Sequence, residues 1–302
     1  MKDIQLYDVI IIGGSYSGLA AGMALGRALR KVLIVDNGEP CNRQTPHSHN
    51  FLTQDGNTPA EIASLARQQV QQYKTIQFLK GLATNALKIN VGFEILTDTG
   101  KRFSARKIIF ATGIKDILPD IPGFAESWGI SVLHCPYCHG YEVRGEKTGI
   151  LGNGNYGYEF SVLISNWTKD LALYTNGKST LSPDQTKKLN QHNILIVEEE
   201  IENLEHQNGY VEQINFKNGK SKAVKAIYTR TPFAQQSLIP QMLGCQLNDD
   251  EYIKVDATQK TNVHSLFACG DNTTRLRTVA NSVAMGTLAG MMVNKELIEE
   301  DF

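Results

Sequence analysis

The sequence lacks the features that mark a membrane-spanning or exported protein. After Met1 and Lys2 the chain soon enters an apolar segment, with no basic leader, no cleavage site and no apolar run of transmembrane length. An excess of positive charge is also missing, since the formal net charge is −1 at pH 7, so nothing would draw the chain to nucleic acid or to an anionic membrane. We therefore predict a cytoplasmic protein that binds neither nucleic acid nor a membrane.

Cysteine is scarce as well, with five residues in 302. An odd number spread over a long chain argues against a framework of structural disulfides and is typical of a reducing compartment. Cys41, Cys245 and Cys269 have no neighbouring cysteine in the sequence. Cys135 and Cys138 differ from these three, because only two residues separate them. The spacing therefore singles out this one pair of thiols.

Apolar strands and helices alternate along the chain. The run from Asp8 to Ile12 predicts a strand buried on both faces of a parallel sheet, and a glycine turn, a helix and the strand Val32–Val35 follow it. A second strand–helix–strand unit begins at Gly149. A length of 302 residues with 41% hydrophobic content suits two domains. We predict an α/β fold with two Rossmann-like dinucleotide-binding domains.

The first glycine turn runs from Gly13 to Gly18, with Ser15 in place of the second glycine of the usual motif. Small residues in such a turn let backbone N–H groups and the N-terminus of the next helix approach a pyrophosphate. Asp36 ends the following strand, where an acid accepts a hydrogen bond from a ribose hydroxyl. The turn therefore predicts a bound dinucleotide; the alternative is a glycine turn of a doubly wound protein that holds no ligand.

The second glycine turn is a complete G-x-G-x-x-G motif formed by Gly152, Gly154 and Gly157. The strand after it ends in Tyr174–Gly177, which offers neither an acid for a ribose diol nor an arginine pair for a 2′-phosphate. Two interpretations stay open at this point. The turn binds NAD(P)H, or it belongs to a dinucleotide fold that has kept its shape and lost its ligand.

The thiol pair stands in the segment Cys135-Pro-Tyr-Cys138-His139-Gly, between the two glycine turns. Two thiols at this spacing can cycle between dithiol and disulfide. A haem attachment site would need export, a structural zinc would need two further ligands, and a glutaredoxin-like module would open a small separate domain. We predict a redox-active pair and no metal. His134 and His139 flank the pair and are usable bases near neutral pH, unless they merely cap or solvate the turn.

Together these motifs resemble the low-molecular-weight thioredoxin reductase family over nearly the whole chain. The resemblance also rests on Ala111-Thr112-Gly113 and on Phe267-Ala-Cys-Gly270-Asp271, which is similar to the family's second flavin motif. It implies a homodimer in which residues 1–115 and 246–302 bind FAD and residues 116–245 form an inserted, NAD(P)-binding-like domain with the thiols. It also implies that Cys138 is the flavin-side thiol, that Cys135 exchanges with the substrate, and that a thioredoxin-like protein is a partner.

The resemblance gives a set of residues to each cofactor. For FAD they are Gly13, Gly14, Ser15, Ser17, Gly18, Asp36, Asn50, Ala111, Thr112, Gly113, Gly270, Asp271, Thr278 and Val279. For NAD(P)H they are Gly152, Gly154 and Gly157.

Three departures from the reductases bear on the direction of electron flow. His139 replaces the acid that usually follows the second cysteine, the basic cluster for a 2′-phosphate is missing, and the expected Arg-Gln pair reads Arg277-Thr278. The Cys-x-x-Cys-His-Gly segment and the loop His49–Leu52 are similar to those of dithiol oxidases that close disulfides in small molecules. Three hypotheses follow: a reductase fed by NAD(P)H, an oxidase of a small-molecule dithiol that passes electrons to oxygen or another acceptor, and a flavin redox sensor without turnover.

Overall fold

The computed structural model describes residues 6–302, which form two compact units. The first unit comprises residues up to Arg43, Phe51–Lys115 and Phe233–Phe302, and the second comprises Gln44–Asn50 and Asp116–Pro232. Both are α/β units, each with parallel strands at the centre of its main sheet, as the sequence predicts.

The first unit is built on a sheet whose central strands are parallel. Its strands run in the order β3-β2-β1-β6-β5-β4, and β17 also pairs with β6. The chain passes through its first elements in the order β1 (Leu6–Ile12), α1 (Tyr16–Arg27), β2 (Val32–Asp36), α2 (Pro59–Gln71), β3 (Ile76–Lys80), β4 (Ala83–Lys88), β5 (Phe93–Thr97), β6 (Arg102–Phe110) and β7 (Ile114–Asp116).

The second unit has a parallel sheet of order β11-β10-β9-β15-β8 and an antiparallel sheet of order β12-β13-β14. Its elements are α3 (Phe124–Ser127), β8 (Val132–Leu133), α4 (Pro136–His139), β9 (Thr148–Leu151), α5 (Gly154–Ile164), β10 (Leu171–Tyr174), α6 (Pro183–Gln191), β11 (Leu195–Val197), β12 (Ile201–Gln207), β13 (Tyr210–Phe216), β14 (Ser221–Ala223) and β15 (Ala226–Thr229).

The chain then returns to the first unit. The returning elements are β16 (Phe233–Gln235), which pairs with β7, α7 (Ile239–Met242), β17 (Leu266–Ala268) and α8 (Val279–Asp301). No helix within residues 6–302 combines the length and the apolar content that crossing a bilayer would require.

Strand β1 is buried on both faces of its sheet, as its apolar run predicts. Ile10 and Ile12 belong to one apolar cluster, whereas Val9 and Ile11 belong to another that includes residues of α1 and α8. Residues of alternate parity point to opposite faces of a strand. Both faces of the sheet are therefore covered, and the carboxyl edge is left as the place where loops can form a site.

The second boundary between the units differs from the one predicted at 245/246. The first crossing falls at 115/116, but the chain returns between Pro232 and Phe233. Ile239 and Cys245 are buried in the same apolar cluster as Ile10 of the first sheet, so the segment before residue 246 packs with the first unit. Gln44–Asn50 also differs from the prediction, because this loop packs with the second unit.

Helix α8 packs closely against α1 through small residues. A Cβ atom at Gly286 would clash with the backbone oxygen of Ser17, and one at Gly290 would lie 2.7 Å from the oxygen of Ala21. The far end of α8 is held by the fully buried Lys107, whose Nζ lies 2.8 Å from Glu296 and 2.6 Å from Glu300. The first and last helices of this unit thus form one layer.

Candidate functional site

The first glycine turn leaves the N-terminus of α1 uncapped by its own side chain. Ser15 is the N-cap residue, and its side chain accepts no hydrogen bond from the first turn of the helix. The first N–H groups of a helix need partners and carry a partial positive charge, so they suit an anionic group. The turn therefore offers a pyrophosphate the end of a twelve-residue helix.

The glycines of this turn bring backbone segments closer together than a side chain would allow. Gly13 has φ +105°, and a Cβ at Gly18 would clash with the oxygen of Gly13. The N–H of Gly14 donates to the Asp36 carboxylate at 3.1 Å, and a Cβ at Gly14 would lie 2.8 Å from Cβ of Asp36. The turn and the acid at the end of β2 thus meet, as expected for a dinucleotide site.

The second flavin motif lies beside the same helix. A Cβ at Gly270 would lie 2.6 Å from the Ser17 hydroxyl, and the Asp271 carboxylate accepts a hydrogen bond from Ser282 of α8 at 3.2 Å. Asn272 is fully buried; its Nδ2 donates to the oxygen of Phe110 at 2.9 Å. Its Oδ1 has no hydrogen-bond partner among the described residues.

The remaining flavin candidates occupy loop ends. Thr112 accepts from Asn272 at 3.2 Å, which brings the Ala111–Gly113 segment to Asp271. Thr278 is the N-cap of α8, where its hydroxyl accepts from the N–H of Asn281. Val279 begins that helix. Asn50 differs from the others, because it lies in the loop that packs with the second unit.

The residues of the first unit fit FAD. The uncapped helix end, the close approach of Gly14 to Asp36 and the orphaned Oδ1 of Asn272 together offer donors and acceptors to a pyrophosphate and a ribose. When bound, FAD would supply the two-electron acceptor that the thiols themselves lack.

The second glycine turn is arranged differently, because its own side chains occupy it. The Oδ1 of Asn153 accepts from the N–H of Gly154 at 2.8 Å, from the N–H of Thr180 at 2.8 Å and from the Thr180 hydroxyl at 3.1 Å. Its Nδ2 donates to the oxygen of Lys178 at 2.9 Å. The ring of Tyr156 lies over Gly152, 2.9 Å from where a Cβ would be.

The strand end that follows this turn holds no group for a 2′-phosphate. The Thr175 hydroxyl donates to the oxygen of Gly177 at 2.6 Å, and the Asn176 side chain accepts from the N–H of Ile201 at 2.7 Å. Both side chains therefore stabilise the local loop. The absence of an acid or an arginine here was already evident in the sequence.

Cys135 and Cys138 form a disulfide with their Cα atoms 5.3 Å apart. Cys135 is the N-cap of the short helix α4, and its carbonyl oxygen accepts from the N–H groups of Cys138 and His139. Pro136 fits the first helical position, where no N–H is needed. Gly140 lets the helix end against Trp167, whose indole nitrogen would be 2.7 Å from a Cβ there. The sequence thus sets the two sulfurs on one tight turn.

The two histidines beside the thiols have different surroundings. His134 is stacked on Trp128, with ring centroids 5.8 Å apart. His139 is partly buried, and its ring lies 6.4 Å from that of His49 in an edge-on arrangement. Burial, and to a smaller extent the charge on His49, lower the pKa of His139, while Glu142 opposes both, and the net result is a pKa of about 4. A neutral imidazole therefore stands beside the disulfide at pH 7 and can accept a proton.

The structure adds Glu142 to the site and places His49, which the sequence marked only as the start of a loop similar to that of dithiol oxidases, next to His139. His49 comes from the loop Gln44–Asn50, and its Nε2 lies 3.6 Å from the Glu142 carboxylate. His49 lies far from the thiols in the sequence, and Glu142 belongs to no motif. The three-residue step from His139 to Glu142 is the one local signal, since that spacing returns a side chain to the same side of a helical turn.

Known proteins share this architecture. The model of the pyridine nucleotide-disulphide oxidoreductase family matches residues 7–286. A relative from Claviceps purpurea, named thioredoxin reductase tcpT, is 30% identical over 99% of this chain and 97% of its own.

Two solved structures are also similar to the chain. A putative thioredoxin reductase TrxB from Bacillus anthracis is 28% identical with a TM-score of 0.94, covering 98% of this chain and 100% of its own. An oxidoreductase from Agrobacterium tumefaciens is 34% identical with a TM-score of 0.91, covering 98% and 99%.

These matches confirm the resemblance on which the sequence interpretation rests. Members of the family use FAD, and NAD(P)H is the family's electron donor. The chain belongs to the pyridine nucleotide-disulphide oxidoreductase family, and it is a thioredoxin reductase-like flavoprotein disulfide oxidoreductase with FAD as its cofactor.

Proposed function

We propose that this enzyme oxidises a substrate dithiol through Cys135 and Cys138 and delivers the electrons to FAD, and from there to oxygen or another acceptor, without NAD(P)H. The observation that carries the proposal is the occupied second glycine turn. A pyrophosphate would have to displace Asn153 from three hydrogen bonds, those from the Gly154 N–H, the Thr180 N–H and the Thr180 hydroxyl. The freed N–H and hydroxyl groups can bond to the pyrophosphate or to water, so the displacement is expected to weaken nucleotide binding rather than to abolish it.

The thiol chemistry balances without a nicotinamide. One substrate sulfur attacks Sγ of Cys135, the Cys135–Cys138 bond breaks, and Cys138 leaves as a thiolate. The second substrate sulfur attacks the first, the bond to Cys135 breaks, and the substrate leaves as a disulfide, having lost two electrons and two protons. The assignment of Cys135 to exchange and Cys138 to the flavin side follows the resemblance to the reductases.

His139 is the base we propose for this exchange. A thiol with a pKa of about 8.5 is mostly protonated at neutral pH, and only the thiolate attacks. The imidazole of His139 follows Cys138 directly, is neutral at pH 7, and can share that proton while the substrate sulfur attacks the disulfide. His134 is the weaker choice, because it is stacked on Trp128.

The test compares three electron donors without oxygen. NADPH, NADH and dithiothreitol are each mixed with the oxidised protein, and the visible absorbance of the flavin is followed by stopped flow. We expect dithiothreitol to bleach the flavin much faster than either nucleotide. Faster bleaching by NADPH or NADH would overturn the proposal in favour of the reductase, and bleaching by none of them would favour a sensor without turnover.

The proposal has three further parts, which are the dithiol that reduces the enzyme in the cell, the oligomeric state of the enzyme and its location in the cell. A small dithiol and a reduced thioredoxin-like protein present the same chemistry, and replacing dithiothreitol with reduced thioredoxin in the same experiment separates them. We propose a homodimer, as the resemblance implies, and a cytoplasmic location, as the missing export signal and the odd, scattered cysteines indicate. Light scattering of the purified protein tests the homodimer, and a monomer mass would contradict it.

A further inference from the structure

The loop Gln44–Asn50 carries a histidine to the thiol pair. It lies between β2 and α2 in the chain, yet it packs within the second unit. His49 of this loop meets His139 edge-on, with an interplanar angle of 87° and centroids 6.4 Å apart. A side chain from a distant part of the sequence thus borders the proposed base.

Glu142 holds the other side of that histidine. The Nε2 of His49 lies 3.6 Å from Oε1 of Glu142, and the side chains are 20% and 39% exposed, respectively. His49 is therefore placed between the more buried His139 ring and a carboxylate that reaches water. A carboxylate at this distance favours the orientation of the His49 ring that turns Nε2 toward it.

The titratable groups near His139 and Glu142 come from three parts of the second unit. His49 comes from the loop, Glu142 follows α4, and Tyr228 of β15 lies within electrostatic reach of Glu142. The Tyr228 hydroxyl is buried and has no hydrogen-bond partner among the described residues. Burial and His49 lower the pKa of His139, while Glu142 raises it.

We propose that His49 is a positioning residue for the base His139, and that Glu142 fixes His49 in that place. The proposal rests on the proposed function, in which His139 takes one proton from the incoming thiol. A charge on His49 disfavours a second charge on the adjacent ring, so His139 returns to its neutral form after each transfer.

The first experiment measures the pKa of His139 directly. Proton NMR titration of the oxidised protein follows the His139 ring in wild type, His49→Gln and Glu142→Gln, with His192→Gln as a control at an exposed position of the same unit. We expect the pKa to rise in His49→Gln and to fall in Glu142→Gln. An unchanged pKa in His49→Gln would overturn the proposal. The Glu142 variant decides the matter from the other side if the loop variant does not fold.

The second experiment measures the reaction itself. Dithiothreitol-driven bleaching is recorded against pH for the same variants. We expect His49→Gln to be bleached about tenfold more slowly than wild type, and the acid limb of its pH–rate profile to move to higher pH. In His139→Gln we expect a loss of rate of about a hundredfold or more. If wild type is not bleached by dithiothreitol, the proposed function fails while the titration still tests His49. If wild type is bleached and His49→Gln matches it in rate and pH profile, only the role of His49 fails.

Discussion

The two glycine turns have nearly the same sequence motif and opposite local chemistry. In the first, Ser15 makes no side-chain cap, and the end of α1 stays available to a ligand. In the second, Asn153 takes up donors from Gly154 and Thr180. We therefore propose that the dinucleotide fold has kept its shape in both units while only the first turn is ready to bind a nucleotide. The glycine motif specifies the course of the backbone. The side chain of the N-cap residue then determines whether the N–H groups at the helix end are left for a ligand.

The largest effect that tests this comparison concerns the thiols. If the second turn does not admit a nucleotide, every electron enters through the cysteines. We expect Cys135→Ser and Cys138→Ser to abolish flavin bleaching by dithiothreitol, with no compensating activity from NADH or NADPH. Rapid bleaching of either variant by a nucleotide would show that electrons also reach the flavin from NADH or NADPH. It would contradict the proposed difference between the two glycine turns. Mass spectrometry after mixing Cys138→Ser with glutathione disulfide should find a mixed disulfide on Cys135, because the Cys135 thiolate attacks the disulfide and one glutathione leaves as the thiol.

The next effect compares matched glycine substitutions. A Cβ at Gly18 would clash with the oxygen of Gly13, whereas the nearest atoms to a Cβ at Gly157 are 3.0 Å away. We expect Gly18→Ala to be purified without FAD and to lose several kcal/mol of stability, about as much as a severe backbone clash. Gly157→Ala should retain the flavin. The flavin-to-protein absorbance ratio and the melting temperature measure both, and equal flavin loss in the two variants would contradict the expectation.

Lowering the pH should reduce the stability of the second unit before that of the first. Between pH 6.5 and about 4 the unfolded chain binds a proton at His139 that the folded protein does not, so stability falls as the pH drops through this window. The loss from this one group is at most about 3 kcal/mol. In the first unit, Glu296 and Glu300 have pKa values lowered below 4.5, so their contribution is lost only at lower pH.

The chain provides a local probe for this prediction. Both of its tryptophans, Trp128 and Trp167, lie in the second unit. Urea midpoints from tryptophan fluorescence should fall between pH 7 and pH 4.5 in wild type and fall less in His139→Gln. Equal slopes in the two proteins would show that His139 is not the group responsible.

The smallest expected effect is a gain of nucleotide binding at the second glycine turn. Asn153→Gly removes the side chain that occupies it, and glycine at an N-cap costs only a few tenths of a kcal/mol relative to asparagine. We expect the variant to gain weak NADH binding that isothermal titration detects, while Asn155→Gly, beside it on the exposed side, gains none. Failure of Asn153→Gly to bind any better than wild type would mean that the turn is closed for another reason.

Local motifs account for what the sequence could predict. The strand Asp8–Ile12, the turn after it and the disulfide pair all depend on neighbours within a few residues, so pattern and spacing were sufficient. The return to the first unit was misplaced because it depends on which core receives Ile239, and no local signal marks that choice. The filling of the second turn needs Thr180, which approaches Asn153 only in the folded chain.

The surroundings of His139 could not be predicted from the sequence either. His139 could be named because it adjoins a cysteine, but its neutral state depends on burial and on His49 from another segment. Neither a compositional pattern nor a periodicity connects those two histidines. The finer assignment of the site residues stays a prediction for the variants above.

The packing of α8 on α1 also has a consequence for how the protein acquires its flavin. Helix α1 ends at Arg27, and α8, whose Gly286 lies against Ser17 beside the first glycine turn, begins only at Val279. Contacts between such distant segments form late, because the entropy of closing the intervening chain must be overcome before they stabilise anything. The second unit can collapse while this closure is still pending, since its parallel sheet is made of consecutive middle segments. We therefore expect flavin capture to be a late event in folding, with free FAD acting on the last step of maturation.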